Sequence, residues 1–241
     1  MAATVSKEDH YYATMEAFGR NSEVRQTMLA FAQEVAAGVM ANITKDVQKG
    51  SLFRVLGVGS GDGQIDFRIL TSVVKAMGSS QIQATIIEPI ADLMERFRSR
   101  VSSLPQSLQG KITFEWREMT LENFMNSCPK SERFNLIHFV ASLYYMDAER
   151  ALSSCHERLA RGGAIFCTVG PKESFFPKLS RKLQDRVDLG SIHKFYTEVD
   201  LANIAKKNNW KYEELYKTRY NADISSCFDD SSTEGGYYST F

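Results

Sequence analysis

The feature that most constrains this chain is an apolar run that breaks into alternating glycines, from Arg54 to Gln64. The apolar half has the composition of a buried parallel strand, and Gln64 opens a segment with helical periodicity. Glycine tolerates backbone conformations with positive φ and lets the backbone come close to a ligand. The sequence therefore predicts a strand, a tight turn and a helix, with a small molecule bound over the turn.

The spacing of these glycines separates two classes of cofactor. A dinucleotide fingerprint requires Gly-x-Gly-x-x-Gly, but Asp62 or Gln64 occupies the place of the third glycine, depending on where the motif begins. The remaining pattern, Gly59-x-Gly61-x-Gly63, is similar to motif I of the class I methyltransferases that use S-adenosylmethionine (SAM). A nucleotide-dependent oxidoreductase is therefore the less favoured alternative. A purely conformational role for the glycines also stays open.

An acidic residue follows the turn at a spacing typical of a carboxylate that binds a ribose. The second predicted strand runs from Ile82 to Glu88, close to the offset of about 20 residues at which a carboxylate meets a ribose. An ionised Glu88 would accept hydrogen bonds from both ribose hydroxyls, and such charge-assisted bonds are strong. Glu88 is therefore a candidate cofactor ligand, and a solvated acid at a strand end is the alternative.

Composition and charge exclude several classes of partner. The 241 residues include 29 basic and 29 acidic side chains, and this balance argues against DNA or bulk RNA as a ligand. With 43% apolar residues, the chain can bury the core of one α/β domain with an elaboration. The N-terminus lacks the charged and apolar regions of a signal peptide, and no apolar run approaches a membrane span. We therefore predict a cytoplasmic protein without nucleic-acid or membrane partners.

Apolar strands alternate with amphipathic helices after the glycine turn. Four further strands are predicted, at residues 82–88, 112–116, 134–140 and 164–169. A helix capped by Thr197 and a sixth strand at residues 211–216 follow. The alternation predicts an α/β fold with a doubly wound, mostly parallel, Rossmann-like sheet. Residues 1–50 are predicted to form an N-terminal helical cap, and residues 51–241 the cofactor-binding core.

The histidines and cysteines do not indicate a metal site. The four histidines lack metal-ligand spacing and the four cysteines lack a CxxC pair, so we predict no metal and free thiols. His138 lies within the predicted fourth strand. We predict a core histidine whose hydrogen bonds are satisfied.

Three groups of residues outside the bare glycine pattern resemble the histamine N-methyltransferase family. They are Gly63-Gln64-Ile65-Asp66, Ile137-His138 ahead of Leu143-Tyr144-Tyr145, and Asp223-Ile224-Ser225 with Cys227-Phe228. The similarity extends from Tyr11 to Phe228. The resemblance implies SAM as the cofactor and methyl transfer to the nitrogen of a small amine or imidazole.

The resemblance also implies roles for individual positions. The cofactor-binding positions are Gly59, Gly61, Gly63, Glu88, Leu93, Thr120 and Val140. The substrate-binding positions are Glu23, Tyr11, Phe18, Ala141, Tyr144 and Tyr145. Glu23 would orient the acceptor or pair with its charge, and the four aromatic rings would form a wall suited to a cation. Ordinary core packing is the alternative for each ring.

Methyl transfer from a sulfonium is an in-line displacement. The enzyme has to align the nucleophile, the methyl group and the sulfur while excluding water. We therefore predict no catalytic acid, covalent nucleophile or metal.

The chain departs from the family at three places. Leu93 and Ala141 stand where the family has glutamines that contact SAM and the substrate, respectively. The chain stops at Phe241, before the family's last strand and a C-terminal asparagine that touches the amine. Losing one hydrogen bond to a buried ligand group costs about 1–3 kcal/mol, so histamine itself is the less expected substrate.

These departures define the main alternative, a catalytically impaired SAM-binding protein that resembles methyltransferases. The missing strand also predicts either a shortened, six-stranded sheet with a more open acceptor pocket, or self-association that covers the exposed sheet edge.

Overall fold

The computed structural model of the protein describes residues 16–43, 50–78, 80–183, 194–214 and 218–225. Contacts divide the chain into two units, residues 1–31 with 216–241, and residues 32–215. The division predicted after residue 50 stays a prediction.

The larger unit is built on a parallel sheet whose described part has five strands in the order β3-β2-β1-β4-β5. The strands are β1 Phe53–Val58, β2 Ile82–Ile87, β3 Ile112–Arg117, β4 Phe134–Val140 and β5 Leu159–Thr168. The helices of the chain are α1 Val24–Ile43, α2 Gln64–Met77, α3 Ala91–Ser102, α4 Leu121–Ser127, α5 Ala148–His156, α6 Phe175–Leu183 and α7 Glu198–Lys207, with a 3-10 helix at Leu143–Tyr145. This arrangement confirms the predicted doubly wound α/β fold.

The helices α2 and α3 have buried apolar faces. In α2, Ile69, Leu70 and Val73 are fully buried, and in α3 the same holds for Met94 and Phe97. Such faces recur at three- and four-residue intervals, the periodicity of a helix that covers a sheet. Across the described ranges, no helix is both long enough and apolar enough to cross a membrane.

β1 lies at the centre of the sheet, between β2 and β4. Gly57 pairs with Ile86 on one side and with His138 on the other. The chain order reverses across β1 and β4, and parallel sheets of this kind bind ligands at the carboxyl ends of the strands where that reversal occurs. The glycine turn after β1 therefore stands at the place in the fold best suited to a ligand.

β5 begins earlier than the sequence predicted. Gly162-Gly163 was expected to be a turn before a strand at residues 164–169, but both glycines lie inside β5. Gly162 has a φ of 72°, and the register between β4 and β5 shifts between Phe134 and Leu136. These are features of a β-bulge, which lets a strand continue through residues that usually signal a turn.

The prediction of a sixth strand is wrong for the residues of this segment that the structure describes. Residues 211–214 form no strand and are exposed, and Leu215-Tyr216 lies outside the described residues. A strand of this kind needs a buried face, and Tyr212, the apolar residue of the segment, is 49% exposed. Within the described residues, β5 is the last strand on its side of the sheet. Self-association through that edge stays a prediction.

The predicted helix capped by Thr197 is confirmed as α7. The Thr197 hydroxyl accepts a hydrogen bond from the Asp200 amide, and the Asp200 carboxylate accepts one from the Thr197 amide at 2.8 Å. This reciprocal capping box satisfies amides that the first turn of a helix leaves free.

The smaller unit joins two segments that are remote in sequence. Ser22 forms an antiparallel bridge with Ala222. The Glu23 amide donates to the Asn221 carbonyl at 2.9 Å, and the Asp223 amide donates to the Asn21 carbonyl at 2.8 Å. Backbone hydrogen bonds thus hold residues 21–23 beside residues 221–223.

Candidate functional site

The glycine turn connects β1 to α2 at the carboxyl edge of the sheet. Gly59, Gly61 and Gly63 have φ values of 64°, 57° and 76°, which L residues rarely adopt. The Gly59 amide donates to the Ile87 carbonyl at 2.8 Å and so ties the turn to β2. The backbone of the turn therefore requires glycine at all three positions.

The three glycines differ in what surrounds them. A Cβ at Gly63 would lie 2.2 Å from the Phe97 ring, and one at Gly59 would lie 2.6 Å from the Ser142 Cβ. A Cβ at Gly61 would have no such neighbour within 4 Å among the described residues. The protein itself fills the space at Gly59 and Gly63, whereas Gly61 faces open space in which a ligand can approach the backbone.

Glu88 lies beside Gly61, at the end of β2. Its side chain is only 4% exposed, and its two carboxylate oxygens accept hydrogen bonds from the Gly61 amide at 2.8 Å and the Ile90 amide at 3.1 Å. Burial raises the pKa of Glu88, and the two amide hydrogen bonds oppose that rise. A carboxylate has about four acceptor sites, so each oxygen can accept a further hydrogen bond. The residues present thus fit a nucleoside whose ribose hydroxyls donate to Glu88.

Asp62 and Arg100 hold the turn from its outer side. The Arg100 guanidinium donates to the Asp62 carboxylate at 3.0 Å and to the Asp62 carbonyl at 3.1 Å. The Gln64 amide side chain also donates to this carboxylate, at 2.7 Å. α3 therefore contributes a side chain that fixes the conformation of the turn.

Two buried polar side chains lie beneath the turn, and one of them differs from the prediction made from the sequence. Asp66 and His138 are each 2% exposed. The His138 Nε2 atom has no hydrogen-bond partner among the described residues, so the prediction of a satisfied core histidine is wrong. Asp66 was indicated in the sequence only by the family resemblance. Its signal was that it is an acid on the otherwise apolar face of α2.

The remaining predicted cofactor residues lie on three other elements. Leu93 is partly buried in α3, and Val140 is the partly buried last residue of β4. Thr120 caps α4, where its hydroxyl accepts a hydrogen bond from the Asn123 amide at 3.3 Å. Contact between these three residues and a cofactor stays a prediction.

An aromatic row follows β4, formed by Tyr145, Tyr144, Phe195 and Phe176. The ring centroids of Tyr145 and Tyr144 are 4.4 Å apart, and Tyr144 lies 5.7 Å from Phe195. Phe195 stacks on Phe176 at 5.7 Å with an interplanar angle of 18°. Tyr145 is 40% exposed, so the row is not ordinary core packing at that end. The two tyrosines were predicted from the sequence, but the two phenylalanines were not, because they come from distant segments.

Ala141 directly follows β4 and is exposed. It has a φ of 52°, and its amide donates to the Thr168 hydroxyl at 3.0 Å. The end of β5 therefore holds the backbone at this position. Whether it faces a methyl acceptor stays a prediction.

Three predicted acceptor residues lie in residues 1–31. The Glu23 carboxylate accepts hydrogen bonds from the backbone and side-chain amides of Asn221 at 3.0 and 3.1 Å, and it borders a cavity of about 380 Å³ with Ser22 and Asp223. Phe18 is buried. Tyr11 lies outside the described residues. Their role in binding an acceptor stays a prediction.

The described cysteines are free thiols, as predicted. Burial raises the pKa of Cys128 to about 11 and that of Cys167 to about 12, and it raises that of Cys155 further. These thiols are therefore protonated near neutral pH and are not nucleophiles. The described ranges also contain no group of three or more histidine, cysteine and acidic side chains placed to hold a metal ion.

The fold and the turn define a Rossmann-like protein that binds a nucleoside-containing cofactor at the centre of its sheet. The methyltransferase domain family matches residues 16–215, most of the chain, and the protein belongs to this family. The predicted class, a SAM-dependent methyltransferase, is thereby confirmed.

Individual relatives agree with this assignment. Histamine N-methyltransferase of Bos taurus is 27% identical over 239 residues, which cover 98% of this chain and 80% of that protein. Its counterpart in Mus musculus is 26% identical over 240 residues, with 98% and 79% covered. The predicted resemblance to this family is confirmed.

A solved structure shows the same fold. An O-methyltransferase family protein from Burkholderia thailandensis superposes with a TM-score of 0.55 at 15% identity, covering 90% of this chain and 61% of that one. The chain thus spans about three fifths of the length of that protein. At this identity the likeness concerns the fold alone.

Proposed function

We propose that the protein transfers a methyl group from SAM to the nitrogen of a small amine or imidazole. The observation that carries this proposal is the similarity to histamine N-methyltransferases along 98% of the chain. The exposed end of the aromatic row supports it, because aromatic faces attract cations and flat rings.

The cofactor would be held at the glycine turn. The Glu88 carboxylate would accept hydrogen bonds from the ribose hydroxyls, and Gly61 would allow the adenosine to approach the backbone. Bound there, SAM supplies an electrophilic methyl group on a positively charged sulfur. Val140 and Leu93 would add apolar contacts around the base.

The residues around the acceptor have to orient it and need not supply a catalytic acid or a covalent nucleophile. The attacking nitrogen must be neutral and point at the methyl group, and the aromatic row would exclude water from that approach. The acceptor would lie flat against the rings of Tyr144 and Tyr145. From the family resemblance alone, Glu23 would pair with a positive charge elsewhere on the acceptor. Methylation leaves a positive charge on the attacking nitrogen. The proton that this nitrogen then loses would pass to water.

A mass-spectrometric screen of small amines and imidazoles incubated with SAM tests the proposal. We expect at least one compound to gain the mass of one methyl group, with S-adenosylhomocysteine (SAH) formed in equal amount. Heat-denatured protein controls for uncatalysed methylation. Binding of SAM without turnover of any compound would contradict the proposal.

That outcome would support the second candidate, a SAM-binding protein with impaired catalysis. The observation that favours it is Ala141, which offers no hydrogen bond where the family has a substrate-contacting glutamine. A methyl side chain cannot replace the amide, and a buried ligand group left without its partner loses about 1–3 kcal/mol of binding free energy.

Restoring this amide gives a direct prediction. The Ala141→Gln variant is expected to raise activity on histamine, relative to other amines, by about tenfold, because one hydrogen bond is regained. The Ala141→Met variant is the matched control, since its side chain has similar length without an amide. Competition assays with paired amines measure the ratio. Equal ratios in the two variants would show that position 141 does not contact the acceptor.

A further inference from the structure

Three side chains from different elements converge beneath Gly57. A Cβ added at Gly57 would lie 2.6 Å from Ser60 Oγ, 2.7 Å from Asp66 Oδ1 and 3.0 Å from His138 Cε1. Ser60 belongs to the glycine turn, Asp66 to α2 and His138 to β4. This trio of Ser60, Asp66 and His138 therefore fills the space directly under the turn, and it explains why position 57 must be a glycine.

The trio contains a carboxyl group and an imidazole that share one environment. The Asp66 Oδ1 and His138 Nε2 atoms are 3.5 Å apart, and both side chains are buried. An ionised Asp66 beside a neutral His138 would leave an uncompensated buried charge, which one bound proton removes. Burial raises the pKa of Asp66 and lowers that of His138, and the attraction between the two groups opposes both shifts. The pair is therefore expected to gain or lose its proton as one unit.

The trio is connected to the backbone of the turn. The Ser60 hydroxyl donates to Asp66 Oδ1 at 2.7 Å, and the Ser60 carbonyl accepts from the Gly63 amide at 3.1 Å. The Ser60 amide also points at the Ile87 carbonyl, 3.4 Å away. An ionised carboxylate accepts the serine hydroxyl more strongly than a protonated one does. The charge on Asp66 thus acts on the residue that links Gly59 to Gly61.

We propose that Asp66 is a positioning residue for the cofactor turn and that His138 controls it through a shared proton. The ionised form of Asp66 fixes Ser60 and thereby the turn that the cofactor contacts, so SAM or SAH binds this form more tightly. Binding consequently moves the shared proton away from Asp66, so that part of it is retained on His138 and the remainder is released to the solvent. This inference rests on the proposed use of SAM at the turn.

Two other acidic groups face Asp66, and their effects have to be separated from its own. Asp62 in the turn is paired with Arg100 at 3.0 Å. Glu88 at the end of β2 accepts two backbone amides and is itself a proposed cofactor ligand. Both repel an ionised Asp66. Because Glu88 also titrates, proton release on binding has to be compared between variants that retain it.

Calorimetry of SAH binding in two buffers with different ionisation enthalpies counts the protons released. Wild type is expected to release a fraction of one proton at pH values where the Asp66–His138 pair is partly protonated. Asp66→Asn keeps the size of the side chain and an acceptor for Ser60 but cannot ionise, so this release should fall. SAH affinity should also weaken by about five- to tenfold, as for one lost charge-assisted hydrogen bond.

Ser60→Ala provides an independent variant at a partly exposed position. It leaves the Asp66–His138 pair intact but disconnects the pair from the turn, so the proton release should fall there too. A residue with a purely structural role would change affinity or stability without changing the number of released protons. Ser60→Ala carries the test by itself if Asp66→Asn does not fold.

Three results would be unfavourable, and they are distinguishable. Equal proton release in wild type and the variants overturns the inference, and so does SAH binding by wild type without any proton release. Failure of wild type to bind SAH contradicts the proposed function instead, and with it the premise of the inference.

Discussion

The Gly63→Ala variant is expected to unfold with a free energy about 2–5 kcal/mol lower than that of wild type. Two costs add at this position. Gly63 has a φ of 76°, and a Cβ in the left-handed region costs about 1–2 kcal/mol. The new Cβ would also lie 2.2 Å from the Phe97 ring, and overpacking a core costs about 1–3 kcal/mol. Urea denaturation followed by circular dichroism measures the difference.

The clash is severe because Phe97 cannot move away. Its ring is fully buried, and its centroid lies 5.7 Å from that of Phe67, 6.2 Å from that of Phe114 and 5.2 Å from that of Trp116. Displacing Phe97 would therefore disturb a cluster of four aromatic residues. The turn is expected to shift instead, and SAH binding should be lost together with stability.

Gly110→Ala is the matched control for Gly63→Ala. Gly110 is exposed with a φ of 70°, and its added Cβ would have no neighbour within 4 Å among the described residues. Only the backbone cost of about 1–2 kcal/mol should appear there. Equal losses of stability in the two variants would mean that the contact with Phe97 is unimportant.

The Glu88→Ala variant is expected to weaken SAH binding by about 1.5–3 kcal/mol, roughly tenfold to somewhat over a hundredfold. The reason is that two charge-assisted hydrogen bonds from the ribose lose their acceptor. SAM should weaken to the same extent, and NAD should bind neither protein. Isothermal titration calorimetry measures all three ligands.

A second acid on the following helix controls for the loss of charge. Glu95 is exposed on α3, where it forms an ion pair with Arg98 at 3.5 Å, so Glu95→Ala should leave SAH affinity unchanged. If Glu88→Ala binds SAH as tightly as wild type does, this residue is not part of the cofactor site.

Glu88 also links stability to pH. Because burial raises its pKa, the folded chain binds more protons than the unfolded chain between the ordinary and the raised pKa of this group. The contribution of Glu88 to stability therefore falls as the pH rises through that window. Glu88→Gln should remove this fall, so its stability relative to wild type should increase from acidic to neutral pH. A difference that is constant with pH in denaturation curves would contradict this expectation.

Local patterns in the sequence determined where the central elements and the turn lie. The strands β1, β2 and β4 are buried on both faces, and such strands appear in a sequence as continuous apolar runs. Glycine spacing indicated a turn with positive φ because glycine adopts that conformation at a lower cost than residues with a Cβ. Glu88 was also predicted from the sequence, because an acid that ends the second predicted strand can be recognised from its position in the chain alone.

Tertiary structure decided what depends on partners remote in sequence. Gly162-Gly163 resembled a turn, but pairing with β4 carries the strand through a bulge. Residues 211–214 were predicted to begin a sixth strand, yet they remain exposed and form none. The aromatic row likewise exists only in the folded chain, where Phe195 meets the Tyr144 ring and Phe176 stacks on Phe195.

The trio beneath the turn shows the same division most clearly. The sequence alone determined that position 57 is a glycine in a buried strand and that His138 is buried in another. Only the folded chain brings Ser60, Asp66 and His138 to within 3.0 Å of one Cβ position at Gly57. The physical reason is that burial and hydrogen bonding depend on distances between side chains of different elements, which no local pattern contains.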